Sequence, residues 1–128
     1  DYMDRLKEQA QKDGFVATMF GRRRPTPDIH SSNFVVRQAA ERAALNMPIQ
    51  GTEADLMKMT MVEAHSVLKE KFPDSRMLLQ IHDSIVVEAT NSDAEQVAEL
   101  LKQTMEAVYK LPVRLDVDVT IGDNWGEL

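Results

Sequence analysis

The sequence predicts an α+β fold, an antiparallel sheet of about three strands with helices packed on one face. Three observations carry that prediction. Two short apolar runs, Met77–Ile81 and Ile85–Ala89, flank the polar triplet His82-Asp83-Ser84 and read as a β-hairpin. From Val113 to Ile121, Val113, Leu115, Val117, Val119 and Ile121 alternate with Arg114, Asp116, Asp118 and Thr120, the period of a half-buried strand able to pair beside the hairpin. Apolar residues also recur at helical spacing over 57–72 and 94–108.

The elements follow in order. Tyr2, Met3, Leu6 and Ala10 recur at helical spacing among charged residues, and Gly14 is a stop signal, so residues 1–13 read as a surface helix that begins abruptly, as in a fragment. Phe15–Phe20 reads as a short strand and Gly21 as a turn, followed by an extended basic segment, Arg22-Arg-Arg-Pro-Thr-Pro-Asp28. Ser31-Ser-Asn33 offers caps for a helix over Phe34–Met47, with Val35, Ala39, Ala43 and Asn46 along one region of it and Pro48 ending it. Thr52 with Asp55 resembles a capping arrangement for a second helix to about Lys71, carrying Met57, Met61, Ala64, Leu68 and Phe72 on its apolar face. Pro73-Asp-Ser leads into the hairpin, and Ser92 with Glu95 forms another capping box before the stripe Ala94, Val97, Ala98, Leu101, Met105 and Val108. Gly122-Asp-Asn-Trp-Gly closes the chain, with Trp125 expected against the sheet edge.

Composition narrows the function classes. With 128 residues, 43% of them hydrophobic, the chain can bury the core of one domain or one lobe of something larger. No run approaches the ~20 apolar residues of a membrane span, no signal-peptide pattern opens the chain, and cysteine is absent, so a soluble intracellular protein without disulfides or thiolate zinc sites is expected. The net charge of -6 is uneven: residues 1–50 hold eight Lys/Arg against six Asp/Glu, the remainder seven against fifteen. Any polyanion contact is expected in the first half, near Arg22-Arg-Arg24, Arg37 and Arg42.

Two sets of residues invite a chemical reading. A carboxylate at a hairpin tip, Asp83, is stable there when solvated, hydrogen-bonded or bound to a cation, so it suggests a metal ligand and equally an ordinary solvated turn. Arg42, Asn46 and Gln50 are spaced by four and carry donors suited to base edges or phosphates, although a solvated helix face looks the same.

Four segments in order make the chain resemble the C-terminal part of the family A DNA polymerases, the bacterial DNA polymerase I type. They are Gly21-Arg-Arg-Arg with Pro27-Asp-Ile29; the run Ala39-Ala-Glu-Arg-Ala-Ala-Leu-Asn-Met-Pro-Ile-Gln-Gly-Thr-Glu-Ala-Asp55; Leu79-Gln-Ile-His-Asp83; and Gly122-Asp-Asn-Trp125. The resemblance covers nearly the whole chain. It implies one piece, 1–128, of a polymerase domain, with residues 1–50 the basic, DNA-facing part and 51–128 the palm core.

The resemblance further implies that Asp83 is one of two aspartates holding two catalytic Mg2+ ions, its partner lying upstream of Asp1. It implies that His82 lies near the primer terminus, and that Arg42, Asn46 and Gln50 touch primer and template, partly through the minor groove. The partners so implied are primer-template DNA, deoxynucleoside triphosphates and the rest of the polymerase chain, in DNA replication or repair in a bacterial cytoplasm at the nucleoid. Phosphoryl transfer requires positioning and charge neutralisation, which paired cations supply, so one aspartate without its partner is expected to be inactive. Ser84 departs from the family pattern, which has glutamate after His-Asp, and the Pro-Thr-Pro segment lacks the aromatic residue often found before Pro-Asp-Ile. Two rival classes are a metal-dependent phosphohydrolase using the His-Asp dyad, which needs further ligands where only His30 and His65 remain, and a non-catalytic interaction module.

Overall fold

Asp1 and Gly14 delimit the first helix. In the computed structural model, which describes residues 1–128, α1 spans Tyr2–Asp13. The Asp1 side chain accepts the Met3 N–H, and Gly14 adopts φ 76 and donates its N–H to the Ala10 carbonyl, a left-handed C-terminal stop that glycine enters without a Cβ clash. The chain divides into two compact units, Asp1–Asp55 and Leu56–Leu128.

In the first unit, β1 (Phe15–Ala17) pairs antiparallel with β2 (Arg23–Pro25), Val16 opposite Arg24. The extended basic segment is thus an edge strand, and the sequence-predicted strand over 15–20 is shorter because Thr18–Gly21 form the connecting turn. A 3-10 turn at Pro27–His30 buries Ile29, and His30 Nε2–H donates to the Gln11 carbonyl at 2.9 Å. Ala10, Val16, Ile29, Ala44 and Met47 form the core, with Ala40 packed against it.

Helix α2 is a single element of 38 residues, Phe34–Lys71, and departs from the sequence expectation in two ways. First, Pro48 lies inside it instead of ending it. Proline removes one helical hydrogen bond and costs about 3 kcal/mol in a helix interior. Here Thr52 donates its hydroxyl back to the Pro48 carbonyl one turn earlier and accepts the Met19 N–H at 3.0 Å, so one tertiary bond ties the interrupted stretch to the turn between β1 and β2. Second, the buried face is Ala40, Ala44 and Met47, while Val35 is 71% exposed and Ala39 and Asn46 are also exposed. Alanines occur on both sides of this helix, so their spacing did not single out the buried side. Asn33 caps the helix as expected, accepting N–H bonds from Val35 and Val36.

In the second unit Thr60, Ala64 and Leu68 are buried at intervals of four along α2. The methionines Met57 and Met61 are half-buried filler, the role their flexible thioethers suit. Strands β3 (Arg76–Ile81) and β4 (Ser84–Glu88) form the expected hairpin, Ile81 opposite Ser84, with a register irregularity between Met77 and Leu79. Helix α3 (Ala94–Ala107) buries Val97 and half-buries the rest of its apolar stripe. Its capping box does not form: Asp93 occupies the cap without a side-chain bond, and Ser92 pairs with the Thr90 hydroxyl.

The α+β class stands, but as two separate two-stranded sheets. Residues 113–121 form no strand. Alternation specifies which side of a strand is to be covered, not where its hydrogen-bond partner lies, and Val113, Val119 and Ile121 remain 68%, 43% and 54% exposed. The Val117 N–H bonds the Glu106 carboxylate instead of a neighbouring strand. Trp125 is 60% exposed, not packed on a sheet edge, because Glu127 closes the terminal turn through the Asp123 N–H and the Asn124 amide.

A Cβ on Gly51 would meet Thr18 Cγ2 at 2.7 Å, closer than side chains tolerate. Replacing a helix-interior glycine by alanine ordinarily gains about 1 kcal/mol, whereas overpacking costs roughly 1–3 kcal/mol. Thr18 is stiff and buried, so overpacking should win: Gly51→Ala is expected to destabilise the parent protein by about 1 kcal/mol in denaturant unfolding, and a stabilised variant would contradict the close approach.

Candidate active site

The hairpin loop consists of two residues, His82 and Asp83, between the paired Ile81 and Ser84. His82 has φ 51, the sole non-glycine residue of the chain in the left-handed region. Such a conformation costs roughly 1–3 kcal/mol and persists only when the surroundings impose it. Here Gln80 Nε2 donates to the His82 carbonyl at 2.6 Å, and Ser84 Oγ donates to the Ile81 carbonyl at 2.9 Å. Both side chains brace the turn. The His82 and Asp83 side chains are exposed and make no hydrogen bond or ion pair within the chain. Asp83 therefore presents an exposed carboxylate, without a partner in the chain, on a braced turn.

No cluster of three or more His, Cys, Asp or Glu side chains is positioned to hold a metal ion. The chain's own offer at the tip is one free carboxylate. Magnesium is commonly held by one or two carboxylates completed by water and substrate phosphates, so the donor fits a share of such a site rather than a complete cage. Ser84, committed to the Ile81 carbonyl, adds a turn brace where a glutamate would add a second acid.

On α2, Arg42, Asn46 and Gln50 are all exposed. Because the helix continues through Pro48, all three follow the i, i+4, i+8 ridge of one helix and form one polar face, a closer association than a helix ending at Pro48 would allow. His82 and Asp83 belong to the second unit and the three helix residues to the first.

Behind that face lies a buried polar cluster that the sequence disguised. Asp55, 6% exposed, accepts the Thr18 hydroxyl at 2.8 Å and Arg22 Nε at 2.6 Å. Thr18 Oγ1 in turn accepts the N–H groups of Phe20 and Arg22 at 3.3 and 3.2 Å. Thr52 and Asp55 have the spacing of a capping motif, but no helix begins there, and both side chains instead bind the Thr18–Arg22 turn. The available signal was a carboxylate on the same side of the helix as Ala44, Met47 and Gly51.

The arginine triplet is divided among tasks. Arg22 is paired with Asp55, Arg23 lies over the Phe15 ring at 4.5 Å, and Arg24 is exposed; outside the triplet, Arg37 donates to the Ser31 carbonyl. Arg24 and Arg42 are exposed without an intramolecular partner, which leaves their guanidinium groups available to anions.

The profile of the family described as "DNA polymerase family A" matches residues 1–127. The thermostable DNA polymerase I of Thermus aquaticus is 49% identical over 124 residues, 97% of this chain and 15% of the relative. DNA polymerase I of Mycobacterium leprae is 45% identical over 126 residues, 98% of this chain and 14% of the relative. Among solved structures, "POL domain of Pol1 from M. smegmatis complex with DNA primer-template and dNTP" matches with a TM-score of 0.94 at 42% identity, over 99% of this chain and 22% of that one. The chain thus spans about a seventh of the length of these curated relatives. A match of this extent and identity places the chain in DNA polymerase family A.

Proposed function

We propose that the chain is the C-terminal palm segment of a DNA-templated DNA polymerase, in which Asp83 supplies one carboxylate to catalytic magnesium and the α2 face contacts the primer-template duplex. The observation that carries this reading is the free Asp83 carboxylate at the tip of a braced two-residue turn, in a chain belonging to family A. The neighbouring M. smegmatis polymerase domain, in complex with primer-template and dNTP, supports the same partners here; the place of action in this reading is a bacterial cytoplasm, in replication or repair.

Bound at Asp83 and a second carboxylate outside these residues, magnesium supplies charge neutralisation of the triphosphate and a more nucleophilic primer hydroxyl. The chain's own residues do the positioning. Gln80 and Ser84 hold the turn so that Asp83 does not reorganise when charge develops. His82, projecting from the same turn, lies beside the primer terminus. Arg42, Asn46 and Gln50 line the DNA on the basic side of the chain, residues 1–50, and offer donors to minor-groove acceptors, which sit nearly alike in all base pairs and so report pair shape rather than sequence. Residues 51–128 form the palm core.

A phosphohydrolase centred on the His-Asp dyad finds no favouring observation, since neither His30 nor His65 joins a ligand cluster.

Three outcomes test the proposal. The isolated 128-residue chain should show no extension of a labelled primer, and incorporation would refute the division of the metal site. In the full-length polymerase, Asp83→Asn should lower the rate of nucleotide addition by roughly 10²-fold or more, the scale of losing a principal electrostatic stabiliser, with primer-template affinity in a filter or anisotropy assay nearly unchanged. Gln50→Ala should weaken productive primer-template binding by about 1 kcal/mol, about fivefold, and lower matched-over-mismatched extension. Its melting temperature should hardly move, since the side chain is exposed; unaltered extension kinetics would count against the DNA-facing assignment.

A further inference from the structure

We propose that Thr18, Thr52 and Asp55 form a clasp that positions Gln50, which makes Asp55 a positioning residue for primer-template handling. The inference rests on the proposed DNA-contacting role of the α2 face and adds to it the device that orients that face.

The argument begins at Pro48. Its ring nitrogen donates no hydrogen bond, so the turn of α2 just before Gln50 lacks the link that the Ala44 carbonyl would otherwise receive. A helix weakened at one link is free to bend there, and a bend between Asn46 and Gln50 would move the two side chains apart. Several contacts oppose that bend, all within the first unit. Thr52 donates to the Pro48 carbonyl and accepts the Met19 N–H at 3.0 Å, so the turn 18–22 is tied directly to the weakened stretch. One helical turn further on, Asp55 accepts Thr18 Oγ1 at 2.8 Å and Arg22 Nε at 2.6 Å, and at 6% exposure its carboxylate depends on both donors. Gly51, between Gln50 and Thr52, leaves room for Thr18 to reach the helix.

Geometry separates this role from direct contact. At 100° per residue, Thr52 and Asp55 lie about 200° and 140° around the helix from Gln50, so they hold the backbone from behind while Gln50 faces outward. A misplacement of about 1 Å in a positioned group can cost roughly 10²-fold in rate, so a brace at this point has leverage that its distance from the substrate conceals.

A double-mutant cycle in the full-length polymerase tests the clasp, read as the ratio of matched to mismatched primer extension. Asp55→Asn removes the charge that holds Arg22, and Thr18→Val removes the hydroxyl joined to Asp55 while leaving every proposed DNA contact in place. Each should lower the ratio by about threefold or more, the lower range of coupling between contacting residues, and Thr18→Ser should retain it. Combined with Gln50→Ala, neither should lower the ratio much beyond Gln50→Ala alone, because the clasp acts through that side chain. If Asp55→Asn loses its native melting transition, Thr18→Val decides. Losses that multiply in the double variants, or a normal ratio in folded Thr18→Val, overturn the clasp while leaving the DNA-contacting face intact. A normal ratio in Gln50→Ala overturns the face itself, and with it the clasp.

Discussion

A carboxylate removed from water must be answered by donors, and in the first unit that requirement organises everything around Asp55. The hydroxyl of Thr18 and the Nε of Arg22 both bind it, which draws the β1–β2 turn onto the helix and fixes where the first of three consecutive arginines can go. Replacing such an ion pair by apolar groups can be neutral, whereas leaving one partner alone is costly, so its value lies more in specifying an arrangement than in adding stability. The arrangement specified is a helix that continues through Pro48 and carries Arg42, Asn46 and Gln50 on one polar face.

The legible parts of the fold were those encoded over short range. The hairpin was readable because two apolar runs separated by His82-Asp83-Ser84 admit few other structures, although Ser84 proved to belong to the second strand, and α1 because Gly14 terminates it with a backbone conformation that glycine adopts freely. Helix α3 was readable because one stripe is apolar and the opposite side is charged. The passage of α2 through Pro48 was not, because the bonds that compensate come from Met19 and Thr18, some thirty residues away. Asp55 was hidden for the same reason: its spacing from Thr52 imitates a helix start, and only the folded chain shows the partner. Alanine-rich stretches such as 39–44 carry too little contrast between faces for periodicity to locate the core.

The candidate site shows the same division. That Asp83 sits at a tip followed from its neighbours in sequence, while its freedom from any internal partner, and the use of Ser84 as a brace, emerged only from the hydrogen bonds. A chemical group kept available and a turn kept rigid are complementary demands. The left-handed backbone at His82 is where they meet, since it allows the chain to reverse in two residues and places Asp83 outward.

The segment 113–121 has a consequence of a different kind. On its apolar side Val113, Val119 and Ile121 are exposed while Leu115 and Val117 are half-buried, and its backbone is not committed to a sheet, a combination that favours self-association of extended chains. Its other side carries Arg114, Asp116 and Asp118, the first two joined at 2.8 Å, and charges at alternate positions resist the stacking of identical copies. The charged side of this stretch is thus a guard against pairing between identical extended segments, one that the alternating pattern carries whether or not a strand forms.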